Sequence, residues 1–369
     1  MNKKNLIMFM PTIETGGVEK NFVIIANFFA KKLKNISVIT TNNKDKKRFS
    51  KKIRFISQNI LNLKNSSRRF KFLIGIIILF KEILKDRDSV VFCFQANIYC
   101  TFLCKLLKTK IIVRSNSSPT GWSKNIFKKL IYKKAMKMAD KVIVNSLEFK
   151  DLIKQKFDVS AKCIYNPLNQ NEILSLSKKK IKFPFFKNDT INFINVSRLE
   201  NQKDHLTLLE GFSKIKFKYK LLLIGNGKNK YKIEKFISEN NITNNIKILF
   251  NIENPFTYIK KSDILILSSL FEGLPNILLE AACLKKLIIS SDCSTGPKEI
   301  LDHGKGGILF KTNNSSDLFK KLNFVKKNRK KLNKKINYAY RRIGRFNYDL
   351  NLNNYFKLID TFLVSKNLD

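Results

Sequence analysis

Two glutamates and a proline in one short run are the residues of this chain best placed to do chemistry: Ser268-Ser-Leu-Phe-Glu-Gly-Leu-Pro-Asn-Ile-Leu-Leu-Glu-Ala-Ala282. The apolar residues Ile264–Leu267 predict a buried strand that ends in two serines. A loop carrying Glu272 and Gly273 follows, and Pro275 suits the first turn of a helix. Glu280 lies five residues beyond Pro275, about 7.5 Å along a helix axis at 1.5 Å per residue. Unsatisfied N–H groups at a helix start favour an anion. Carboxylates accept hydrogen bonds from sugar hydroxyls. A nucleotide sugar has both kinds of group. On spacing alone, an ordinary strand-to-helix turn with one surface glutamate and one on the helix face fits equally well.

The elements that must hold this run repeat along the chain. In the first half, strands are predicted at Asn5–Met10, Ser37–Thr40, Ser89–Phe94, Lys110–Arg114 and Lys141–Asn145, with helices between them that include Val18–Leu33 and Ser123–Ala139. Asn166-Pro167 closes this series, and Lys178–Lys182 with Pro184 reads as a linker. The alternation resumes at Ile191–Ser197, Lys220–Ile224, Ile246–Phe250, Asp263–Ser268 and Leu287–Ser290. Helices are predicted over His205–Ile215, Lys230–Glu239 and Asn276–Leu284. Strands that alternate with helices argue for parallel sheets in an α/β fold. The expectation is two Rossmann-like domains, 1–167 and 168–345, facing across an interdomain cleft, with a helix in 346–369 that returns to the first.

Composition limits the class. The 369 residues include 44% hydrophobic and 27% charged, a globular balance with enough chain for two cores. Six cysteines, at 93, 100, 104, 163, 283 and 293, form no Cys-x-x-Cys pair and read as reduced core thiols. The net charge of +44 is mostly lysine in a chain crowded with Asn, Ile and Phe, a pattern that A/T-rich coding also produces. Such a surface attracts anionic membranes, nucleic acids and phosphorylated ligands alike. The run Leu6–Met10 is too short for a secretory leader. The most apolar stretch, Phe72–Phe80, has nine residues against the roughly 20 that cross a bilayer, and is expected to be a buried helix.

Glu272 and Glu280, with Phe-Glu-Gly-Leu-Pro-Asn and Leu-Leu-Glu-Ala around them, resemble the E-x7-E motif of GT4-type retaining glycosyltransferases, the group 1 family with a GT-B fold. Ser291-Asp-Cys-Ser-Thr-Gly-Pro-Lys-Glu-Ile-Leu301 is similar to the segment that follows the motif in members building bacterial surface polysaccharides. Upstream, Val196-Ser-Arg-Leu-Glu-Asn-Gln-Lys203 resembles the family's Arg-x4-Lys segment. The resemblance runs almost continuously from Asn192 to Phe310.

It implies that Arg198 and Lys203 contact the donor diphosphate, that Glu280 holds the ribose, and that Glu272 orients the sugar or its phosphate. Gly273, Leu274, Pro275, Asn276 and Ile277 would border the donor. Gly16 and Gly17 would let a phosphate approach the backbone, Gly225 and Asn226 would line the nucleotide side, and Ile252 would lie near the base. No cofactor or tightly bound metal is implied, because the nucleotide sugar is a co-substrate. The implied donor is an NDP-hexose or NDP-N-acetylhexosamine, with UDP as the expected nucleotide. The acceptor would be a lipid-linked or other oligosaccharide. The expected location is the cytoplasm, at the inner face of a bacterial cell membrane.

Many relatives carry a histidine in the first domain, whereas this chain has only His205 and His303, both read as structural or surface residues. Arg114 and Ser115, at the end of the fourth strand, are the candidates for acceptor contact instead. Asp86-Arg-Asp88 matches a metal-binding Asp-x-Asp motif but precedes its strand, so it reads as a solvated turn. The helix over Ser123–Ala139, with six lysines and Trp122 at its edge, suits an anionic membrane and equally an ordinary solvated helix. A nucleic-acid-binding or other anion-binding protein is the alternative reading. It has no use for the Glu272–Glu280 run, and no nucleic acid partner is expected.

Overall fold

The computed structural model describes residues 4–13, 16–58, 66–116 and 125–364. The chain divides into two compact units, Met1–Pro167 with Asp349–Asp369, and Leu168–Tyr348. Trp122 and the start of the helix predicted from Ser123 lie outside the described residues.

The first unit is a seven-stranded parallel sheet. Its strands are β1 (Leu6–Phe9), β2 (Ile36–Ile39), β3 (Arg54–Ile56), β4 (Val90–Cys93), β5 (Lys110–Ser115), β6 (Lys141–Val144) and β7 (Ala161–Cys163), in the order β3-β2-β1-β4-β5-β6-β7. Central strands such as Leu6–Phe9 and Val90–Cys93 are buried throughout, as expected of a sheet covered on both faces. On one face, Ile7, Phe9, Val91 and Val113 join Leu79, Cys100, Met136 and Ile153 from four helices in one core cluster. On the other, Phe92 packs against Tyr355, and Phe29 meets Phe356, both from the final helix Tyr348–Leu363.

The stretch Phe72–Phe80 forms part of a longer helix, Arg68–Lys85, capped by the Ser67 hydroxyl. This corrects the expectation of a buried helix. Gly75, Leu79 and Ile83 face the core, while Leu73, Ile77 and Phe80 are exposed. Hydropathy counts apolar residues without saying which face of a helix the sheet covers. Among the described residues, no helix is long and apolar enough to cross a membrane.

The second unit has six parallel strands: β8 (Ile191–Val196), β9 (Tyr219–Ile224), β10 (Ile246–Leu249), β11 (Ile264–Leu267), β12 (Leu287–Ser291) and β13 (Ile308–Phe310). Their order is β10-β9-β8-β11-β12-β13. Each sheet therefore reverses direction once, at β1/β4 and at β8/β11, and ligands of such sheets sit at the carboxyl ends beside the reversal. The six cysteines are free, and all but the half-buried Cys163 are buried.

Candidate functional site

At the reversal in the first unit, Thr12 after β1 donates through its hydroxyl to Gln95 Oε1 after β4 at 2.6 Å. Gly16, in extended backbone at φ −173°, caps the helix Gly17–Phe29, and both glycines are exposed. A Cβ on Gly16 would stand 2.5 Å from Glu19 Oε2, so this first helical turn already faces a carboxylate of its own. Arg114 is fully buried. Its Nε donates to the Tyr355 hydroxyl at 2.8 Å and its Nη2 to Asn166 Oδ1 at 2.6 Å. The guanidinium lies over the rings of Phe94 and Tyr355. Ser115 is buried too, with its hydroxyl 3.2 Å from that of Tyr132. Arg114 is thus a strut beneath the last helix, with its Nη1 left without a partner among the described residues. Asp86 and Asp88 occupy the turn before β4, where Ser89 Oγ donates to Asp86 at 2.8 Å and Lys4 pairs with Asp88 at 3.5 Å.

At the reversal in the second unit, the β8–β11 ladder pairs Phe193 with Ile264 and Ile194 with Leu265. Beyond it, the Asn195 amide donates to the Ile266 carbonyl at 2.9 Å. The two loops that leave these strands are tied together along their length. Ser268 Oγ donates to the Lys203 carbonyl at 2.7 Å, Leu270 N–H to the Gln202 carbonyl at 2.8 Å, and Gln202 Nε2 to the Phe271 carbonyl at 2.7 Å. The Lys203 ammonium forms an ion pair with the Glu272 carboxylate. Ser269 Oγ donates to Glu272 Oε1 at 2.6 Å, and Thr295 Oγ1 to the Glu272 main-chain carbonyl at 2.6 Å. Glu272 is thus held from three sides while 7% exposed.

The other loops close on the same edge. Gly296 has φ +90°, and a Cβ there would lie 2.2 Å from the Gly273 carbonyl, so only glycine fits. Leu274 and Pro275 are buried, while Asn276 and Ile277 are half-buried in the first turn of the helix Asn276–Cys283. Glu280 is on the same helix, 8% exposed. A Cβ on Gly225 would stand 1.9 Å from the Ser197 carbonyl, and Leu199 N–H donates to the Asn226 carbonyl at 2.8 Å. Arg198 is therefore flanked by two residues pinned to the Gly225–Gly227 loop, while its own side chain is exposed. Asn226 Nδ2 donates to Asn251 Oδ1 at 3.0 Å, which brings the half-buried Ile252 to this edge as well.

Residues 177–342, nearly all of this unit, match the family described as glycosyl transferases group 1. The second unit is a group 1 glycosyltransferase domain. A glycosyltransferase of Methanocaldococcus jannaschii is 33% identical over 241 residues, covering 58% of this chain and 59% of that protein. The N-acetylgalactosamine-N,N'-diacetylbacillosaminyl-diphospho-undecaprenol 4-alpha-N-acetylgalactosaminyltransferase of Campylobacter jejuni is 26% identical over 221 residues, covering 58% and 60%. The chain thus matches about three fifths of the length of these two relatives. In fold, the crystal structure of Anabaena HepE in complex with UDP and glucose aligns with a TM-score of 0.79 at 15% identity, over 97% of this chain and 100% of that one. The likeness spans both units, and the GT-B class expected from the sequence is the class observed.

The group 1 domain contains a partly buried chain of hydrogen bonds that the sequence did not announce. Ser197 Oγ donates to Asn195 Oδ1 at 2.7 Å and lies 3.2 Å from His205 Nε2. Because the hydroxyl proton points at Asn195, Ser197 accepts from His205, which fixes the Nε2–H tautomer. Nδ1 is then bare, and among the described residues nothing bonds to it. Burial, and secondarily the Lys203 charge, pulls the His205 pKa down to about 4. The folded state keeps this imidazole neutral, whereas the unfolded chain protonates it near 6.5, so stability is full above pH 6.5 and falls as pH drops toward 4. Between pH 6.5 and 5 the loss should be about 2 kcal/mol, at 1.36 kcal/mol per unit. Urea titrations at several pH values check this, and His205→Gln should flatten the slope in that window.

Ser269 and Thr295, which hold Glu272, were visible only as hydroxyls inside quoted motifs. Burial and the Glu272 charge push the neighbouring Cys293 thiol up to about 12, so it stays protonated.

Proposed function

We propose that the chain is a retaining glycosyltransferase that moves a hexose or N-acetylhexosamine from a nucleotide sugar, with UDP as the nucleotide, onto a lipid-linked or other glycan acceptor in cell-surface polysaccharide synthesis. The observation that carries this reading is the convergence of Lys203, Glu272 and the Gly273–Asn276 helix start at the sheet reversal of a group 1 domain. Such an edge suits a pyrophosphate, with cationic side chains on one side and helical N–H groups on the other. The undecaprenol-linked acceptor in the C. jejuni relative's name and the UDP bound to HepE point the same way.

In this reading Arg198 and Lys203 neutralise the departing nucleoside diphosphate, a task that needs no resident metal or cofactor. The Lys203–Glu272 pair keeps the ammonium in place before the donor arrives. Glu280 accepts from the ribose hydroxyls, and the loops at Asn226 and Ile252 border the nucleotide. The protein would work in the cytoplasm, at the inner face of a bacterial membrane.

Thermal shift with UDP, GDP and a panel of their sugars tests the donor assignment. A preferred nucleotide at about 100 times its Kd should add about 2.7 kcal/mol of stability. Glu280→Gln should reduce that shift for ribonucleotides more than for inorganic pyrophosphate. No shift with any nucleotide would remove the proposal.

A further inference from the structure

We propose that the outward faces of three adjacent helices in the first unit, Arg68–Lys85, Asn97–Leu106 and Ile126–Met138, form one surface that docks onto an anionic lipid bilayer. It rests on the reading of the protein as peripheral to a membrane and assigns that contact to a defined face.

The three helices follow β3, β4 and β5, and their inner residues share one core cluster, so they lie side by side on the same face of the sheet. The middle helix packs against both others. Their outer sides are apolar where a water-facing helix carries polar residues. On the first helix, Phe70, Leu73, Ile77, Phe80 and Leu84 recur at intervals of three and four, forming a single stripe between 39% and 55% exposed. The middle helix adds Tyr99 and Leu106, the latter 80% exposed. The third adds Ile126, Phe127, Leu130 and Ile131 in its first two turns, with Phe127 at 76%. Scattered exposed apolar residues need no explanation, but rows on three neighbouring helices make a patch of the kind that marks an interaction site.

Charge selects the occupant. Arg68, Arg69, Lys81 and Lys85 border the stripe on the first helix. Lys128, Lys129, Lys133 and Lys134 are spread along the third, while Lys137 at its end pairs with Asp158 at 2.8 Å. The only acid on the three helices is Glu82, which is buried and paired with Arg54 and Lys85. An apolar face bordered by cations and lacking outward acids complements anionic headgroups above acyl chains. A protein partner would need its own acids to match, and this chain, at +44, repels a second copy of itself.

The test is co-sedimentation of the full chain with phosphatidylcholine vesicles, with and without phosphatidylglycerol, at about 0.1 M and about 0.5 M salt. Wild type should bind the anionic vesicles, weaken with salt, and keep measurable binding at the higher concentration through its apolar contact. Leu73→Glu with Ile77→Glu should lower the partition coefficient at least about tenfold, as expected for two apolar side chains kept out of the bilayer. Phe127→Glu with Leu130→Glu, on a separate helix, should do the same. Thermal midpoints and UDP shifts should stay at wild-type values for both pairs, which separates this surface from the donor site. If wild type ignores anionic vesicles, the membrane reading falls with the proposal. If binding vanishes at high salt and neither pair changes it, lysine charge acts alone and the face is misassigned. A dimer in light scattering that the substitutions dissolve would also overturn it.

Discussion

Arg198→Ala should lower turnover of the preferred donor by about 10²–10³-fold, the usual cost of one electrostatic contact to a charge-bearing transition state, with the thermal midpoint unchanged. The side chain is exposed at the end of β8, so its removal leaves no cavity and no buried partner. Lys203→Ala separates the two effects. It should also reduce turnover, but it leaves Glu272 buried without its counter-charge, with the paired side chains only 15% and 9% exposed. Breaking such a pair from one side costs about 3–5 kcal/mol. Adding Glu272→Gln to Lys203→Ala should recover much of that stability and none of the activity. Nucleotide-release kinetics and calorimetry on the three variants check the scheme. Full turnover in Arg198→Ala would show that the cation at this edge does not meet the diphosphate.

The second large effect concerns Arg114. A fully buried guanidinium bonded to Tyr355 and Asn166 and stacked on two rings cannot be truncated without losing both charge-assisted bonds and opening a cavity under the rings, although the Tyr355 hydroxyl keeps its bond to the Ile164 carbonyl at 3.2 Å. Arg114→Ala should cost about 3–5 kcal/mol, and Tyr355→Phe about 1.5–3 kcal/mol through its charge-assisted hydrogen bond. The loss should be local first. Hydrogen exchange should show the helix Tyr348–Leu363 losing protection before the sheet does, because the arginine ties it to β5 through Tyr355. Equal protection in wild type and Arg114→Ala would contradict that role.

The central strands were legible because each is a short apolar run between helical patterns. β3, β7 and β13 were not. They are edge strands of three residues each, with Arg54 and Lys162 exposed, and no period can be read from three residues. The glutamate run and the Arg-x4-Lys segment were legible as motifs, but their meeting was not, since Lys203 and Glu272 lie 69 residues apart and only the strand order makes them neighbours. Arg114 is a related case, since at the end of an apolar strand a cation reads as a ligand contact, and only the return of the last helix shows its bonds to Tyr355 and Asn166. His205 was read as structural or surface; it is buried, and its bond to Ser197, which donates on to Asn195, joins residues whose spacing in the sequence gives no sign of it.

Because the last helix completes the first unit, the second unit is in effect an insertion within it. On the ribosome, the segment from Leu168 to Tyr348 is fully synthesised while the first sheet still lacks the helix that covers Phe92 and Arg114. The first unit therefore cannot complete its packing until that helix emerges, and its uncovered apolar face is open to chaperones in the meantime.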